Sequence, residues 1–441
     1  MPSTASHVQR ARALFGGVLS TQTLDLVARR TRLVQRERVV SAASFFWAFM
    51  VTLGAQPMAF ISDVLRTFNA QEASALRYKP FWNRLARPAF SRFMKVMFML
   101  VCREMGKRVL TQVKGGVAEY FSEILLDDGS SFAVAEGLRE VFPGRFTRFT
   151  PAAVELHAHM SLLSGNVAAV VLAPDKEAER QFLPPAHTLP RGSLSLRDRG
   201  YLDLSYFEAL ADAGAFLICR SPCSINPTIV RVLGGLPKRA GRKWEGKSLQ
   251  ELRKSKLHHD LDLLVRWSRK DAKPLELRLV IRKVREKKSW TWLLTNVPSE
   301  ISAEAIGQLY RLRWQVELLF KDWKSHANLH ALLSENPAIV EGFIWASLCA
   351  AFLKRALAHF AQLTLARPIS ERLAAMSGPQ LLPKLAAWAR GGFQARLLRA
   401  ILFFIDNNAR PAHPERRRPH DVLGLQPRGC AASLRVALAA A

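Results

Sequence analysis

Residues 123–134 read EILLDDGSSFAV. An apolar run, two acids, a Gly-Ser pair and a second apolar pair predict a strand ending at the acids, a glycine turn and another short strand. A strand fixes a carboxylate at its end while the turn leaves it open, which suits a metal ligand. Asp128 is the candidate and Asp127 its competitor. Strand alternation sends them to opposite faces, so only one lines a site. The plainer alternative is an Asp that simply begins a β-turn.

After this stretch, Ala153–Leu163 alternates apolar and polar, Gly165-Asn166 is a turn, and Val167–Pro174 is a third strand. Leu194–Leu196 predicts a short strand that stops at Asp198. Leu204–Ala213 has helical spacing, and Ala215–Cys219 is again a strand. Strand, helix, strand after a meander implies an α/β core with parallel pairing. Taken singly, Asp198 could equally be a surface acid paired with Arg197 or Arg199.

Residues 220–298 differ in character. They hold alternating strands at Leu261–Trp267, Leu275–Val284 and Trp290–Val297, and between Arg231 and Lys288 there are 19 Lys and Arg against 7 Asp and Glu. This predicts a basic β-rich insertion. A helix follows over Ala303–Lys324, with Ser302 as N-cap. On it Tyr310, Arg313, Glu317 and Lys324 fall within about 60° of one another, since each residue turns ~100°. Leu309, Leu312, Val316, Leu319, Phe320 and Trp323 occupy the adjacent face. A solvated ion-paired face is the alternative, but Arg313–Glu317 is the reverse of the favoured i,i+4 order.

The flanks are helical: residues 1–115 before the core and 336–441 after it, ending in a basic tail. Residues 39–62 carry no charge, but Gln56 and Pro57 interrupt them, so two buried helices explain the stretch better than a membrane span. The apolar stretch Phe343–Leu353 offers either a dimer face or core. The 441 residues carry 64 Lys and Arg against 36 Asp and Glu, a net charge of +28 that suits a polyanion. Cys102, Cys219, Cys223, Cys349 and Cys430 form no C-x-x-C pair, which fits a reducing cytoplasm. His157, His159, His258 and His259 lack zinc spacing, and no nucleotide-binding glycine motif occurs.

Tyr310, Arg313, Glu317 and Lys324 together satisfy Y-x2-R-x3-E-x6-K. Asp128-Gly129-Ser130 and Asp198-Arg199-Gly200-Tyr201 precede them in order. Over about residues 115–345 the chain resembles the insertion-sequence-four family of DDE transposases. The resemblance implies an RNase H-like α/β catalytic core (116–219 and 299–335), interrupted by the β-rich insertion (220–298). It implies two Mg²⁺ ions, with Mn²⁺ able to substitute, on Asp128, Asp198 and Glu317. Tyr310, Arg313 and Lys324 would contact phosphates. A flipped base would stack on Trp290 or Trp292, beside Lys287 and Lys288; alternation puts both tryptophans on one face, and either could be core. The implied activity is cut-and-paste transposition through a DNA hairpin. The implied partners are transposon-end inverted repeats and target DNA, held by a homodimer in a paired-end complex at the bacterial nucleoid. Two rivals share these residues: an RNase H-like structure-specific nuclease or resolvase, and a DNA-binding regulator with inert acids.

Overall fold

The computed structural model describes residues 4–34, 40–55, 60–72, 75–108, 116–162, 166–254, 259–269, 273–284, 289–314, 316–317, 320, 323, 334–365 and 367–411. Nine strands form one sheet: β1 (Ile124–Ala133), β2 (Ala153–Ser161), β3 (Val167–Pro174), β4 (Leu194–Arg197), β5 (Phe216–Arg220), β6 (Thr228–Gly234), β7 (Leu261–Trp267), β8 (Leu275–Val284) and β9 (Ser289–Thr295). Their order is β3-β2-β1-β4-β5-β9-β8-β7-β6. β1, β4 and β5 run parallel, and the remaining pairs are antiparallel. A parallel neighbour needs a crossover. Helix Leu204–Asp212 supplies it between β4 and β5, capped by the Asp203 carboxylate, which accepts from the Ser205 and Tyr206 amides. This is the mixed α/β arrangement of an RNase H-like core.

Three features depart from the expectations above. First, β1 does not stop at the acids. It runs through Gly129 as a single ten-residue strand, because β2 pairs with it along its whole length, with Asp128 opposite Ala158 and Gly129 opposite His157. The expected glycine turn is absent: a continuous partner strand outweighs local turn propensity. Second, the strands of the basic segment continue the core's own sheet, since β9 pairs with β5 through Ile218–Thr295, Cys219–Leu294 and Arg220–Leu293. β6, and the short helices Lys238–Arg242 and Leu249–Lys254, were not read in the sequence. Third, the helix from Ala303 has its first segment end at Arg311, with Leu312 as C-cap. Helical geometry resumes at Trp314 and includes Val316 and Glu317.

Both faces of the sheet are covered, as parallel strands require. Ile124 and Leu126 of β1 face one apolar cluster, and Leu125 faces the other. The first cluster is continuous with the helical flanks, which pack together although more than 200 residues of core separate them. Helix Pro337–Leu365 lies along helix Pro88–Arg108 and also contacts Ala42–Ala55. Phe49 meets Phe343 at 5.3 Å, and Phe98 meets Trp345 at 5.6 Å between ring centroids. Phe343, Trp345, Leu348 and Phe352 are all buried here, so this stretch is core and offers no dimer face.

Helix Ala42–Ala55, from the uncharged N-terminal stretch, is buried except at Val51 and Ala55, and Ile61–Glu72 follows as a second helix. One helix, Pro337–Leu365, is long and apolar enough to cross a membrane, but 83% of its most apolar window is buried inside the protein.

A buried ion pair ties the basic strands to the helix from Ala303. Arg278 on β8 donates twice to Asp262 on β7, at 2.8 and 2.7 Å. Its Nη1 donates to the carbonyls of Pro298 and Ile301 at 2.7 and 2.8 Å. With Ser302 capping the Ala305 amide, this fixes where the helix begins.

Candidate active site

The three acids come from three elements. Asp128 projects from the middle of β1. Asp198 sits one residue beyond the end of β4, at the entry to a short 3-10 turn. Glu317 lies on the helical segment after Arg311. Two side chains of that helical region join them. Arg313 Nη1 donates to Asp128 Oδ2 at 3.0 Å, and its Nη2 bonds Glu317 Oε1. Tyr310 OH donates to Asp198 Oδ1 at 3.2 Å, and Arg220 Nη1 approaches the same oxygen at 4.0 Å. Five sequence-predicted residues thus meet, spanning Asp128 to Glu317.

The electrostatics follow from that crowding. Burial pushes the Asp128 carboxyl up to about 6; Arg313 and the Gly129 amide oppose the rise, and Glu317 and Asp198 add to it. Burial would lower Arg313, but Asp128, Tyr310, Asp198 and Glu317 together hold its guanidinium above its ordinary value. Tyr310 is also raised, chiefly by burial and then by Asp198. Two guanidinium groups, Arg313 and Arg220, offset the cluster of carboxylates.

Asp127 faces the other way. It bonds the Arg197 Nε at 2.6 Å and the His159 ring, and both partners are on the opposite sheet face from Arg313. Burial would raise its carboxyl, but Arg197 and His159 outweigh that and hold it well below its usual range. Arg197 is fully buried and stacks over Tyr206 at 4.5 Å. Asp127 therefore belongs to the sheet's interior, as a structural ion pair.

Gly129 has a packing reason. A Cβ there would lie 2.5 Å from Glu155 Oε1 and 3.2 Å from His157 Nδ1, so its absence admits two large β2 side chains. Glu155, pushed up to about 7 chiefly by burial and then by Glu179, was not read in the sequence. His157 is buried, lowered to about 4 by burial and by Arg145, and stacked on Phe182 at 4.1 Å. The strand alternation of β2 carried that signal: Glu155, His157 and His159 share a face with Asp127.

The chain matches the profile described as "Transposase DDE domain" over residues 122–353. It belongs to that family. The match covers the whole sheet and the positions of Asp128, Asp198 and Glu317. The chain is 24% identical over 278 residues to the transposase for insertion sequence element IS231F of Bacillus thuringiensis subsp. israelensis, covering 55% of this chain and 58% of that protein. It is 23% identical over 429 residues to the transposase for IS1151 of Clostridium perfringens, covering 86% and 88%. A 62-residue segment is 50% identical to the InsL protein of IS186A of Escherichia coli K12, covering 14% and 17%. The matched region thus spans little more than half the length of the IS231F transposase.

The two expected tryptophans lie on β9. Trp290 on β9 is half-buried and Trp292 is buried against the second apolar cluster, with Arg253 over its ring at 5.8 Å. Lys287, Lys288 and Lys324 lie outside the described residues. Among the described residues no group of three or more acids, histidines or cysteines is arranged to hold an ion. The donor set nonetheless fits a hard divalent cation: all three acids offer carboxylate oxygens, and Asp128 is destabilised as an anion by burial and, in smaller part, by Glu317 and Asp198.

Proposed function

We propose that this DDE transposase cuts and rejoins DNA, moving an insertion element by cut-and-paste transposition. The observation that supports the reading best is the convergence of Asp128, Asp198 and Glu317 on Arg313 and Tyr310. Asp128, Asp198 and Glu317 would hold two Mg²⁺ or Mn²⁺ ions. When bound, such ions supply the charge that activates an attacking oxygen and stabilises a leaving one. Arg313 must then release at least one carboxylate, which frees its fork for a DNA phosphate. Tyr310, neutral near neutral pH, offers a hydroxyl donor at the same place. Lys324 would serve a neighbouring phosphate.

Strand transfer, passage through a hairpin, and base capture by Trp290 beside Lys287 and Lys288 belong to the same proposal. So does a homodimer that pairs two inverted-repeat ends before target capture, with the protein in the cytoplasm and held at the nucleoid through DNA. The test incubates the protein with DNA carrying the element's two ends and a supercoiled target, with Mg²⁺. Excised element joined to the target supports the reading. Nicked ends with no joined product would leave only the structure-specific nuclease, and bound but uncut ends only the inert regulator.

A further inference from the structure

The loop 142–151 reads FPGRFTRFTP and follows β1. It has no regular secondary structure beyond a bridge at its base, Pro143 with Ala152, yet it is tightly held. The Gly144 amide donates to the Pro151 carbonyl at 2.9 Å and closes the base. A Cβ at Gly144 would lie 2.0 Å from the Thr150 carbonyl, so only glycine allows this closure. At the tip, the Phe149 and Thr150 amides both donate to the Phe146 carbonyl, at 3.0 and 2.8 Å. A surface loop fixed in this way loses little further entropy on binding.

Its root is fastened to the acidic rim of the sheet. The Arg145 amide donates to Asp175 Oδ2 at 3.0 Å, its Nε to the Asp175 carbonyl at 3.3 Å, and its Nη2 to Glu155 Oε2 at 3.4 Å. Asp175 also accepts from Ser131 of β1, three residues on from Asp128 and on the opposite face of that strand. On the other side, Arg145 faces Glu179, whose carboxylate touches Gly200 in the turn after Asp198. The loop is thus registered against both strands that carry the Asp128 and Asp198 carboxylates.

What the loop offers outward is unusual. Phe146 is 63% exposed and Phe149 is 88% exposed. Arg148 between them is exposed as well. Two phenylalanines held in water cost free energy unless something covers them. A second copy of a chain with net charge +28 is a poor cover for a segment reading R-F-T-R-F-T. Unpaired nucleobases suit it: the rings stack on bases of any sequence while Arg148 meets the backbone.

We propose that the loop 144–150 is a stacking platform for unpaired bases of the DNA strand that flanks the cleavage site. This rests on the DNA-cleaving reading above. Glu155 and Glu179, the carboxylates beside Arg145, lie close enough to Asp128 and Asp198 to act on them electrostatically, which puts the loop's root near both acids.

The test uses the full chain and two probes, a short blunt duplex and the same duplex with a single-stranded thymidine overhang. The wild type is expected to bind the overhang form about ten-fold or more tighter than the blunt form, the usual worth of one or two stacked bases. F146A/F149A should lose that gap while keeping blunt-duplex affinity and an unchanged melting temperature, because both side chains are exposed. F146W/F149W should restore the gap. An equal gap in wild type and F146A/F149A, or no gap in the wild type, overturns the proposal. So does a change in the sedimentation of F146A/F149A without DNA, which would assign the rings to a second copy. Failure of the wild type to bind even the blunt duplex would sink the DNA reading itself.

Discussion

Arg313 Nη1 donates to Asp128 Oδ2 at 3.0 Å across 185 residues of sequence, and the same guanidinium reaches Glu317 one helical turn away. Both ends of the longer pair are largely buried, at 13% and 17% side-chain exposure. One cation thus bridges two acids that the proposed chemistry assigns to metal. Arg313→Lys keeps the charge but loses the planar fork that spans both acids. Cleavage of end DNA is expected to fall by about 10²-fold in Arg313→Lys and further in Arg313→Ala, with blunt-duplex binding reduced only slightly. Wild-type cleavage by Arg313→Lys would remove the fork from the mechanism.

Metal binding should be visible without any DNA. Burial, with Glu317 and Asp198 nearby, raises the cost of ionising Asp128, so Mg²⁺ or Mn²⁺ that binds only the folded state should raise the melting temperature. The rise is expected to disappear in Asp128→Asn, Asp198→Asn and Glu317→Gln. The same three variants should lose cleavage yet bind duplex DNA nearly as well as wild type. A melting-temperature rise that survives in all three would place the ions elsewhere.

Asp127 and Asp128 are adjacent, yet their removal should have opposite effects on stability. Asp127→Ala leaves Arg197, which is fully buried, without its counter-ion, a loss of about 3–5 kcal/mol. Burial pushes the Asp128 carboxyl in the fold up to about 6, against an ordinary 3.8. Ionised Asp128 therefore destabilises the metal-free fold above pH 6, and the penalty is relieved as pH falls through 6 toward 4. Asp128→Asn is expected to raise the metal-free melting temperature at neutral pH, with the gain shrinking below pH 6. Urea titrations of both variants at several pH values test this. An Asp127→Ala variant as stable as wild type would contradict the buried pair.

Several of these relationships could be read from the sequence and others could not. The period-2 pattern of β1 already separated Asp127 from Asp128, because alternation is a local property. The stripe of Tyr310, Arg313 and Glu317 was equally local. The straight run of β1 through Gly129 was not: it depends on β2, whose His157 and Glu155 need the missing Cβ. Nor was the union of the helical flanks, where Phe49 and Phe343 meet across about two thirds of the chain's length. Apolar helices advertise that they are buried, but not against which partner. The Arg278 clamp was hidden for a third reason, since a basic segment makes every arginine look like a DNA contact.

Salt should weaken DNA binding steeply. With a net charge of +28, contacts to several phosphates release counterions on binding. Affinity for duplex DNA is expected to fall by about 10³-fold or more between 50 and 200 mM salt. Arg278→Ala should not change the slope, because Arg278 is spent on Asp262 and two carbonyls inside the fold. A flat titration would separate the charge from DNA recognition.

The last prediction concerns pairing of ends. The apolar stretch Phe343–Leu353 is consumed inside the monomer, against Phe49, Phe90 and Phe98. A dimer must therefore use another surface, and a chain of this charge resists self-association until something neutralises it. DNA does so. The protein is expected to sediment as a monomer alone and as two chains on two ends once end DNA is added, with the shift lost at high salt. Phe343→Ala should lower stability by about 3–5 kcal/mol through a cavity while leaving the stoichiometry of the surviving folded protein at two chains per two ends. A DNA-free dimer that Phe343→Ala dissolves would return that stretch to the interface. One chain per cleaved end at every concentration would exclude the paired complex.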